Sequence, residues 1–376
     1  MNFLANERKI GLIVNPIAGM GGRVGLKGTD GEDILERAIE LGSEPISQAR
    51  TKQFLKPLLS VKNAITILTY PGKMGEDVTK EMGFFPTVIG KITDEKTTAR
   101  DTKNAAKLMK EMGVNLIVFV GGDGTARDVF DSVDQEVPVI GVPSGVKIYS
   151  SCFAIKPQAA ARISMKFLWE ELPLRQAEIL DIDEKSYREE NKLNIRFYGY
   201  LIAPFEPSLL QESKLASPFT VDEHENQLAI ARHVMQNMND ETFYLLGPGT
   251  TVMAISEVLD LEKTLLGVDI LKNKKIIALD VNENQIIDFL EGQKAKIIVS
   301  PIGRQGMIFG RGNQQISPKI IRIIGKENII VISTRYKSGT IKSLKVDTQD
   351  PTLDEELKGF MRVIVDFNEI RMMKIE

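Results

Sequence analysis

The stretch NLIVFVGGDGTARDVFDSV, residues 115–133, joins a continuous apolar run, a glycine-rich turn and a segment of helical character. The run before Gly121 predicts a buried strand, and residues 126–133 predict a helix. Three glycines in four positions, 121 to 124, let the main chain turn sharply and bring its N–H groups close to an anion. A strand, a tight turn and a helix in this order are typical of a parallel α/β sheet.

The sequence around this stretch predicts the same architecture. Apolar runs at residues 9–14, 64–68, 87–89 and 137–141 alternate with helical segments at 30–41 and 99–112, the second opened by a Thr98/Asp101 capping box. The prediction is an α/β protein with an N-terminal parallel-sheet nucleotide-binding domain, residues 1–172. A mixed α/β second domain with some antiparallel strands follows at residues 173–376. The sequence pattern allows its last strands to pair with the second domain or to return to the first.

Composition and residue counts exclude several classes of function. The 48 basic residues are balanced by 51 acidic ones, so no broad positive field exists to bind nucleic acid. The two histidines, His224 and His233, fall on opposite faces of one predicted helix, and Cys152 is the only cysteine, which disfavours zinc sites and Ser-His-Asp or Cys-His chemistry. No apolar stretch is long enough to cross a bilayer and no signal peptide is evident, so we expect a cytoplasmic protein without a membrane segment.

Asp123 is the charged residue inside the glycine-rich turn. A carboxylate repels phosphate unless a cation sits between them or unless the carboxylate accepts a proton. Asp123 is therefore a candidate Mg²⁺ contact or a candidate general base for a hydroxyl nucleophile. A strand–helix turn in which Asp123 or Thr125 merely caps the helix explains the same residues equally well.

A second glycine-rich loop, residues 15–23, follows the first predicted strand. It offers free amides and a cation to a phosphate through Asn15, Gly19, Gly21, Gly22 and Arg23. Neither loop has the Gly-x-Gly-x-x-Gly spacing of a Rossmann dehydrogenase or the Gly-Lys-Ser/Thr of a P-loop. Two more loops after predicted strands, residues 71–76 and 143–147, carry Lys73 and Lys147, and all four loops are expected at one edge of the sheet.

The second half of the chain contains candidate contacts for an acceptor substrate, in a cleft facing the first domain. Gly247, Gly249, Thr250 and Thr251 form an amide-rich turn before a predicted helix, although a proline turn capped by Thr250 explains them too. Asp269 ends a predicted strand and could hold ribose hydroxyls, or it is an ordinary exposed strand end. Two glycine-rich loops add the polar candidates Arg304, Arg311, Asn313 and Gln314.

The motifs resemble a known family. Asn15-Pro16 with its trailing glycines, followed about a hundred residues later by Gly-Gly-Asp-Gly-Thr, resembles the NAD kinase and diacylglycerol kinase superfamily. The fuller runs at 15–31, 69–76, 97–102, 121–128 and 141–150, with 244–251 and 310–318, are similar to the ATP-NAD kinase/AcoX-type branch.

The resemblance implies transfer of the terminal phosphate of ATP, or of polyphosphate, to a hydroxyl, with Mg²⁺ or another divalent cation. In NAD kinases the acceptor is the adenosine 2′-hydroxyl of NAD, which makes NADP. Asp123 then corresponds to the motif aspartate that accepts the proton or contacts the cation, and Gly121, Gly122, Gly124 and Thr125 correspond to the phosphate cradle. Small molecules such as ATP and NAD are the expected partners, and a homo-oligomer is left open.

One family feature is displaced here. NAD kinases have an Asn-Glu pair soon after the glycine turn that contacts the dinucleotide, whereas the candidates in this chain, Asn282-Glu283 and Asn368-Glu369, lie far downstream. A kinase acting on another nucleoside, sugar or lipid hydroxyl is the first alternative. A nucleotide or dinucleotide sensor without catalysis is the second.

Overall fold

The computed structural model describes residues 7–26, 32–93, 96–133, 135–145, 148–182, 195–207, 209–210, 221–302 and 306–376. The chain forms two compact units. The first consists of Met1–Met20 and Gly28–Ser213, and the second of Gly21–Lys27 and Lys214–Glu376. A short piece of the N-terminal glycine-rich loop therefore belongs to the second unit.

The first unit contains strands β1 to β7 and helices α1 to α6. The strands are β1 Lys9–Val14, β2 Thr66–Thr69, β3 Thr87–Val88, β4 Leu116–Gly121, β5 Val139–Pro143, β6 Leu174–Ile182 and β7 Ile195–Pro204. The helices are α1 Glu32–Glu40, α2 Ser47–Leu58, α3 Glu76–Glu81, α4 Ala99–Glu111, α5 Asp123–Val133 and α6 Pro157–Leu168.

The first five strands form a parallel sheet in the order β3-β2-β1-β4-β5. Both faces are covered, because α4 and α5 pack on one side through residues such as Met109 and Val129, and α2 and α6 pack on the other through Phe54 and Ala160. This arrangement confirms the predicted parallel α/β fold. In such sheets, ligands bind where the strand order reverses, here between β1 and β4.

The antiparallel hairpin β6–β7 lies within residues 173–376, which the sequence analysis assigned to the second domain. In the structure it packs against α5 and β5, and Ala177, Ile179 and Leu201 enter the same apolar cluster as Val129. Burial of these side chains places the hairpin in the first unit. The change of strand pattern at residue 173 thus marks a change from parallel to antiparallel pairing within one unit.

The second unit contains strands β8 to β16 and helices α7 to α12. The strands are β8 Phe243–Leu246, β9 Asp269–Lys272, β10 Lys275–Ala278, β11 Ala295–Val299, β12 Met307–Phe309, β13 Ile329–Ile332, β14 Lys345–Val346, β15 Gly359–Asp366 and β16 Glu369–Ile375. The helices are α7 Val221–Gln236, α8 Thr250–Val258, α9 Glu283–Leu290, α10 Pro318–Ile324, α11 Arg335–Thr340 and α12 Pro351–Leu357.

Seven of these strands form a mixed sheet in the order β10-β9-β8-β11-β13-β15-β16. Strands β8, β11, β13 and β15 run parallel, while β9, β10 and β16 add antiparallel edges. The predicted mixed α/β second domain with antiparallel strands is confirmed. The C-terminal strands pair within this sheet, since Val363 of β15 is in register with Val331 of β13.

Both histidines lie on α7, and they have different partners. His224 Nε2 lies 3.1 Å from Glu257 Oε1, whereas His233 Nδ1 accepts a hydrogen bond from the Asn368 N–H. Within the part of the chain that the structure describes, no group of three or more histidine, cysteine, aspartate or glutamate side chains is placed to hold a metal ion. None of the helices described has the length and apolar character that crossing a bilayer requires.

The Thr98/Asp101 capping box at the start of α4 is present in the structure. Asp101 Oδ2 accepts hydrogen bonds from the Thr98 N–H at 2.8 Å and from the Thr98 Oγ1 at 3.1 Å. We expect Thr98→Ala to lower the free energy of unfolding of the first unit by about 1 kcal/mol, because the helix N-terminus loses its cap. Urea denaturation measures this, with Thr97→Ala as the matched control. Equal stabilities of the two variants would show that the cap contributes nothing.

Candidate active site

Asn15 connects the loops that follow β1 and β4. Its backbone N–H donates to the Val120 carbonyl at 3.0 Å, and its side-chain Nδ2 donates to Thr125 Oγ1 at 3.0 Å. Its Oδ1 accepts the Ile17 N–H at 3.2 Å, so the amide also shapes its own loop. Asn15 therefore lies at the point between β1 and β4 where the strand order reverses.

The glycine-rich turn is shorter than predicted. Helix α5 begins at Asp123 rather than at Ala126, so Gly124 and Thr125 belong to its first turn. A side chain larger than hydrogen does not fit at Gly121, because a Cβ at that position would lie 2.3 Å from Thr125 Oγ1. The helix starts early because the Ala126 N–H already bonds to the Gly122 carbonyl, at 3.1 Å.

The loop after β5 packs directly on this turn. The N–H groups of Ser144 and Gly145 both donate to the Gly121 carbonyl, at 3.0 and 3.1 Å. A Cβ on Gly145 would lie 2.8 Å from the Gly122 Cα, so the two main chains touch. Gly19, at φ +85°, approaches from the β1 loop, and a Cβ there would lie 1.8 Å from the Ser144 carbonyl oxygen. Three strand-end loops therefore meet at one edge of the first sheet.

Helix α2, which the sequence analysis did not predict, supports these loops from one side. Ser47 Oγ donates to the Ala18 carbonyl at 3.0 Å and lies 3.4 Å from Ser144 Oγ, while Arg50 Nε donates to the Pro143 carbonyl at 2.8 Å. Both side chains are buried. The helix contains Pro57 and lacks a side-chain cap, so the usual start and stop signals are missing.

Asp123 is held by main-chain amides. Its Oδ2 accepts the Tyr149 N–H at 2.8 Å, and its Oδ1 accepts the Ser150 N–H at 3.0 Å. The residue is 9% exposed. Hydrogen bonds to both oxygens stabilise the negative charge of the carboxylate. Tyr149 and Ser150 lie in the motif at residues 141–150, but their role is not visible in the sequence, because a backbone donor leaves no mark on the residue type.

The charge of Asp123 also affects its surroundings. Burial raises the pKa of the Cys152 thiol well above its ordinary value, and the nearby Asp123 carboxylate raises it further. The thiol is fully buried and stays protonated, so it cannot serve as a nucleophile.

The remaining candidate residues of the N-terminal half do not all lie in the first unit. Gly21, Gly22 and Arg23 belong to the second unit, where the Arg23 carbonyl accepts the Glu283 N–H at 3.0 Å. Lys147 and Arg304 lie outside the described residues. Lys73 is exposed, and its carbonyl accepts a hydrogen bond from Gln48 Nε2 at 2.7 Å.

The turn at residues 247–251 is largely closed by its own main chain. The Gly247 N–H donates to the Ile298 carbonyl and the Gly249 N–H to the Leu265 carbonyl, both at 2.8 Å. Both N–H groups already have backbone acceptors and are not available to an anion, contrary to the predicted anion site at this turn. Gly249, at φ +110°, is the N-cap of α8, which also corrects the alternative that Thr250 caps it. Thr250 is exposed and Thr251 is buried.

Asp269 does not fit the expected ribose contact. It is fully buried, and its oxygens accept hydrogen bonds from the Thr264 N–H, the Thr264 Oγ1 and the Asp280 N–H. Lys263 Nζ lies 3.2 Å from Asp269 Oδ2, and both side chains are wholly inaccessible. Every observed contact of this carboxylate is internal, so Asp269 stabilises the fold.

The loop at residues 310–315 is also organised internally. Asn313 is 1% exposed; its Oδ1 accepts the Gly310 N–H at 3.0 Å and its Nδ2 donates to the Ile308 carbonyl at 2.8 Å. The expected ligand contact through Asn313 is thus replaced by a loop-closing role. Gln314 Oε1 is buried without a hydrogen-bond partner among the described residues, and Arg311 is half-buried.

Both candidate Asn-Glu pairs have structural roles. Asn282 caps α9 in a complete capping box with Gln285. Asn368 occupies the tight turn between β15 and β16 at φ +58°. Neither pair lies in the first unit.

One polar cluster escaped the sequence analysis. Ser300 follows β11, and its Oγ lies 3.4 Å from the Nζ of Lys337 on α11. Thr334 follows β13 and donates through Oγ1 to Glu223 Oε1 at 2.6 Å. Burial lowers the pKa of Lys337 to about 8, although the Glu223 carboxylate opposes this shift. Nothing in the sequence around Lys337 distinguishes it from other lysines.

The comparisons with known proteins agree with the N-terminal motifs. Residues 10–171 match the model of the ATP-NAD kinase N-terminal domain, and residues 239–375 match that of the ATP-NAD kinase C-terminal domain. Together these two matches cover most of the chain. The chain belongs to the ATP-NAD kinase family.

No curated protein matches the chain. The crystal structure of yeast NADH kinase complexed with NADH is 11% identical, with a TM-score of 0.26, and the match covers 52% of this chain and 47% of that one. This chain therefore spans about half the length of that kinase.

The contact between Gly145 and Gly122 can be tested by substitution. We expect Gly145→Ala to lower the free energy of unfolding by about 1–3 kcal/mol, because the new methyl group overlaps the Gly122 main chain. Gly339→Ala is the control, since a Cβ there meets nothing within 4 Å. Urea denaturation of both variants gives the comparison, and an unchanged Gly145→Ala protein would contradict the observed packing.

The lowered pKa of Lys337 predicts that the free energy of unfolding depends on pH. The pKa of Lys337 is about 8 in the folded chain against an ordinary value of 10.5, so between these pH values the unfolded chain binds the additional proton. Stability therefore rises with pH in this window as the cost of the buried charge disappears. Relative to Lys337→Met, the wild type should gain about 1–3 kcal/mol in free energy of unfolding between pH 7 and pH 10.

Denaturant unfolding at a series of pH values measures this difference. Lys342→Met removes an exposed lysine of the same unit and should show no such trend relative to the wild type. A parallel pH dependence of the wild type and Lys337→Met would contradict the prediction.

Proposed function

We propose that this chain is a kinase that transfers the terminal phosphoryl group of ATP to the adenosine 2′-hydroxyl of NAD. The observation that carries the proposal is the meeting of the β1, β4 and β5 loops around Asp123 at the reversal of the strand order. Membership of the ATP-NAD kinase family supports the same reaction. The AcoX-type branch and polyphosphate as a second donor belong to this proposal.

The first turn of α5 supplies the donors for phosphate. The N–H groups of Gly124 and Thr125 precede the first intrahelical hydrogen bond, because the Ala126 N–H is the first to find a helical acceptor. Helix α5 is 11 residues long, so its positive N-terminal end adds to these amides. Asn15 holds Thr125 from the neighbouring loop and so fixes this cradle.

Asp123 acts in this proposal as the contact for a divalent cation. Two amide hydrogen bonds to its oxygens favour the charged carboxylate, which is the form that binds a cation. Mg²⁺ uses one or two carboxylates together with substrate phosphates, so a single carboxylate suits it. When bound, such a cation neutralises charge on the transferring phosphoryl group.

NAD as the acceptor rests on family membership, because both candidate Asn-Glu pairs serve as a helix cap or a turn. Incubation with ATP and Mg²⁺ over NAD, NADH, nucleosides and sugars, with polyphosphate as a second donor, identifies the acceptor. A product from a sugar or nucleoside alone would replace NAD in the proposal. Binding of nucleotide with no phosphorylated product from any acceptor would instead indicate a sensor.

We expect Asp123→Asn to lower kcat by about 10³-fold or more in a protein that still folds. The amide has nearly the same shape, but it lacks the charge and keeps one acceptor oxygen for the Tyr149 and Ser150 N–H groups, so the free energy of unfolding falls by about 1–3 kcal/mol. Steady-state kinetics with the acceptor found above measure the loss, and the thermal midpoint reports on the fold. Asp128→Asn, on the same helix at an ion pair with Lys103, is the matched control and should keep its activity. Undiminished turnover by a folded Asp123→Asn protein would exclude this role.

A further inference from the structure

A pocket of about 790 Å³ lies within the second unit. It is lined by residues from the segment Gly21–Lys27, from the first residue of α9, from α10 and from the start of α12. Pockets for small ligands occupy roughly 300–1,000 Å³, so the volume suits a molecule of nucleotide size. Nothing in the sequence analysis predicted a ligand here.

Three cations and two carboxylates, Glu283 and Asp350, line the pocket, so its net charge is positive. Arg23, Lys319 and Arg322 all line it. The charge of Arg322 is matched, because its Nη1 lies 2.6 Å from Asp350 Oδ2. Among the residues that the structure describes, no carboxylate lies within ion-pair distance of Arg23 or Lys319, including Glu283, which also lines the pocket. Two cations thus face the pocket without a direct counter-charge.

The position of Arg23 is fixed by its own segment. The Leu26 N–H donates to the Gly21 carbonyl at 2.9 Å, and the Arg23 carbonyl accepts the Glu283 N–H at 3.0 Å. Gly25, at φ +77°, allows this turn and lies against Asn282. The arginine that the sequence analysis assigned to the phosphates beside Asn15 is therefore anchored at the start of α9.

Besides the charged residues, the lining consists of Gln349 and three apolar residues. Pro318 and Pro351 contribute ring surfaces, and the Ile323 side chain is 51% exposed. An exposed apolar surface beside two unmatched cations suits a ligand with a flat hydrophobic part and an attached polyanion. A nucleoside diphosphate has these two parts, since the base packs on the apolar side and the phosphates neutralise the cations.

We propose that this pocket binds a nucleoside diphosphate group, through Arg23 and Lys319 for the phosphates and through Pro318, Ile323 and Pro351 for the base. All lining residues of the pocket belong to the second unit, whereas Asp123 belongs to the first. The pocket does not depend on the proposed kinase activity, because a sensor with the same fold would also contain it.

A cysteine placed in the pocket tests the proposal on the full chain. The native thiol, Cys152, is fully buried and burial raises its pKa, so it resists alkylation. In Ile323→Cys the introduced thiol is exposed, and N-ethylmaleimide labels it. We expect saturating ADP to slow this labelling by about fivefold or more, as measured by mass spectrometry of the intact protein.

A second introduced cysteine separates local protection from a general effect. Ile277→Cys lies on β10, outside the pocket, at a residue that is 42% exposed, and its labelling should not respond to ADP. The labelling requires no phosphoryl transfer, so the readout remains valid whether or not the protein phosphorylates NAD.

Charge reversal identifies the phosphate contact. In the Ile323→Cys background, Lys319→Glu should raise the ADP concentration needed for half protection by about tenfold, while the exposed Lys275→Glu should not. Adenosine, which lacks phosphates, should protect at least about tenfold less well than ADP. Absence of protection by ADP up to about 10 mM, equal protection at position 277, or protection unaffected by Lys319→Glu would each overturn the proposal.

Discussion

The candidate active site depends on the close approach of two main chains, at Gly122 and Gly145. Parallel neighbours such as β4 and β5 end side by side, so the loops that leave them compete for the same space. Without side chains at these two positions, the β5 loop can donate both of its first amides to the Gly121 carbonyl. The chain that continues from there brings the Tyr149 and Ser150 amides to Asp123. A larger residue at either glycine would separate the loops and displace these donors.

This geometry determines how the charge of Asp123 is balanced. A buried carboxylate is costly unless it is paired or hydrogen-bonded. Here the N–H groups of Tyr149 and Ser150 donate hydrogen bonds to the Asp123 carboxylate, at 2.8 and 3.0 Å. The protonated thiol of Cys152 beside it adds no charge of its own.

The sequence predicted the parts of this structure that depend on local pattern. The bounds of β1 are those expected from its apolar run, and the strand–turn–helix unit at Gly121 is present. The start of α5 was misplaced, because glycine is a poor helix former and the contacts that fix Asp123 come from residues far along the chain. Helix α2 was missed because it has no cap and includes Pro57.

Polar residues in glycine-rich loops were harder to interpret. Asp269 and Asn313 look like ligand contacts in the sequence, yet their hydrogen-bonding groups are used inside the fold. A sequence shows that a donor or acceptor exists but not whether a backbone group already satisfies it. Buried polar groups must be satisfied somewhere, so many such residues in tight loops will be internal.

The N-terminal glycine-rich loop shows a further limit of interpretation by motif. Its first part packs on the first unit through Ala18 and Gly19, while the part after Met20 folds with the second unit. Asn15 and Arg23 are eight positions apart in the sequence, but one organises the edge around Asp123 and the other lines a pocket beside α9 and α10. The glycines of this loop thus serve two purposes: close approach at Gly19 and a reversal of direction at Gly25. Because residues of one motif can belong to different units, each must be assigned from its own contacts, and those of Arg23 are in the second unit.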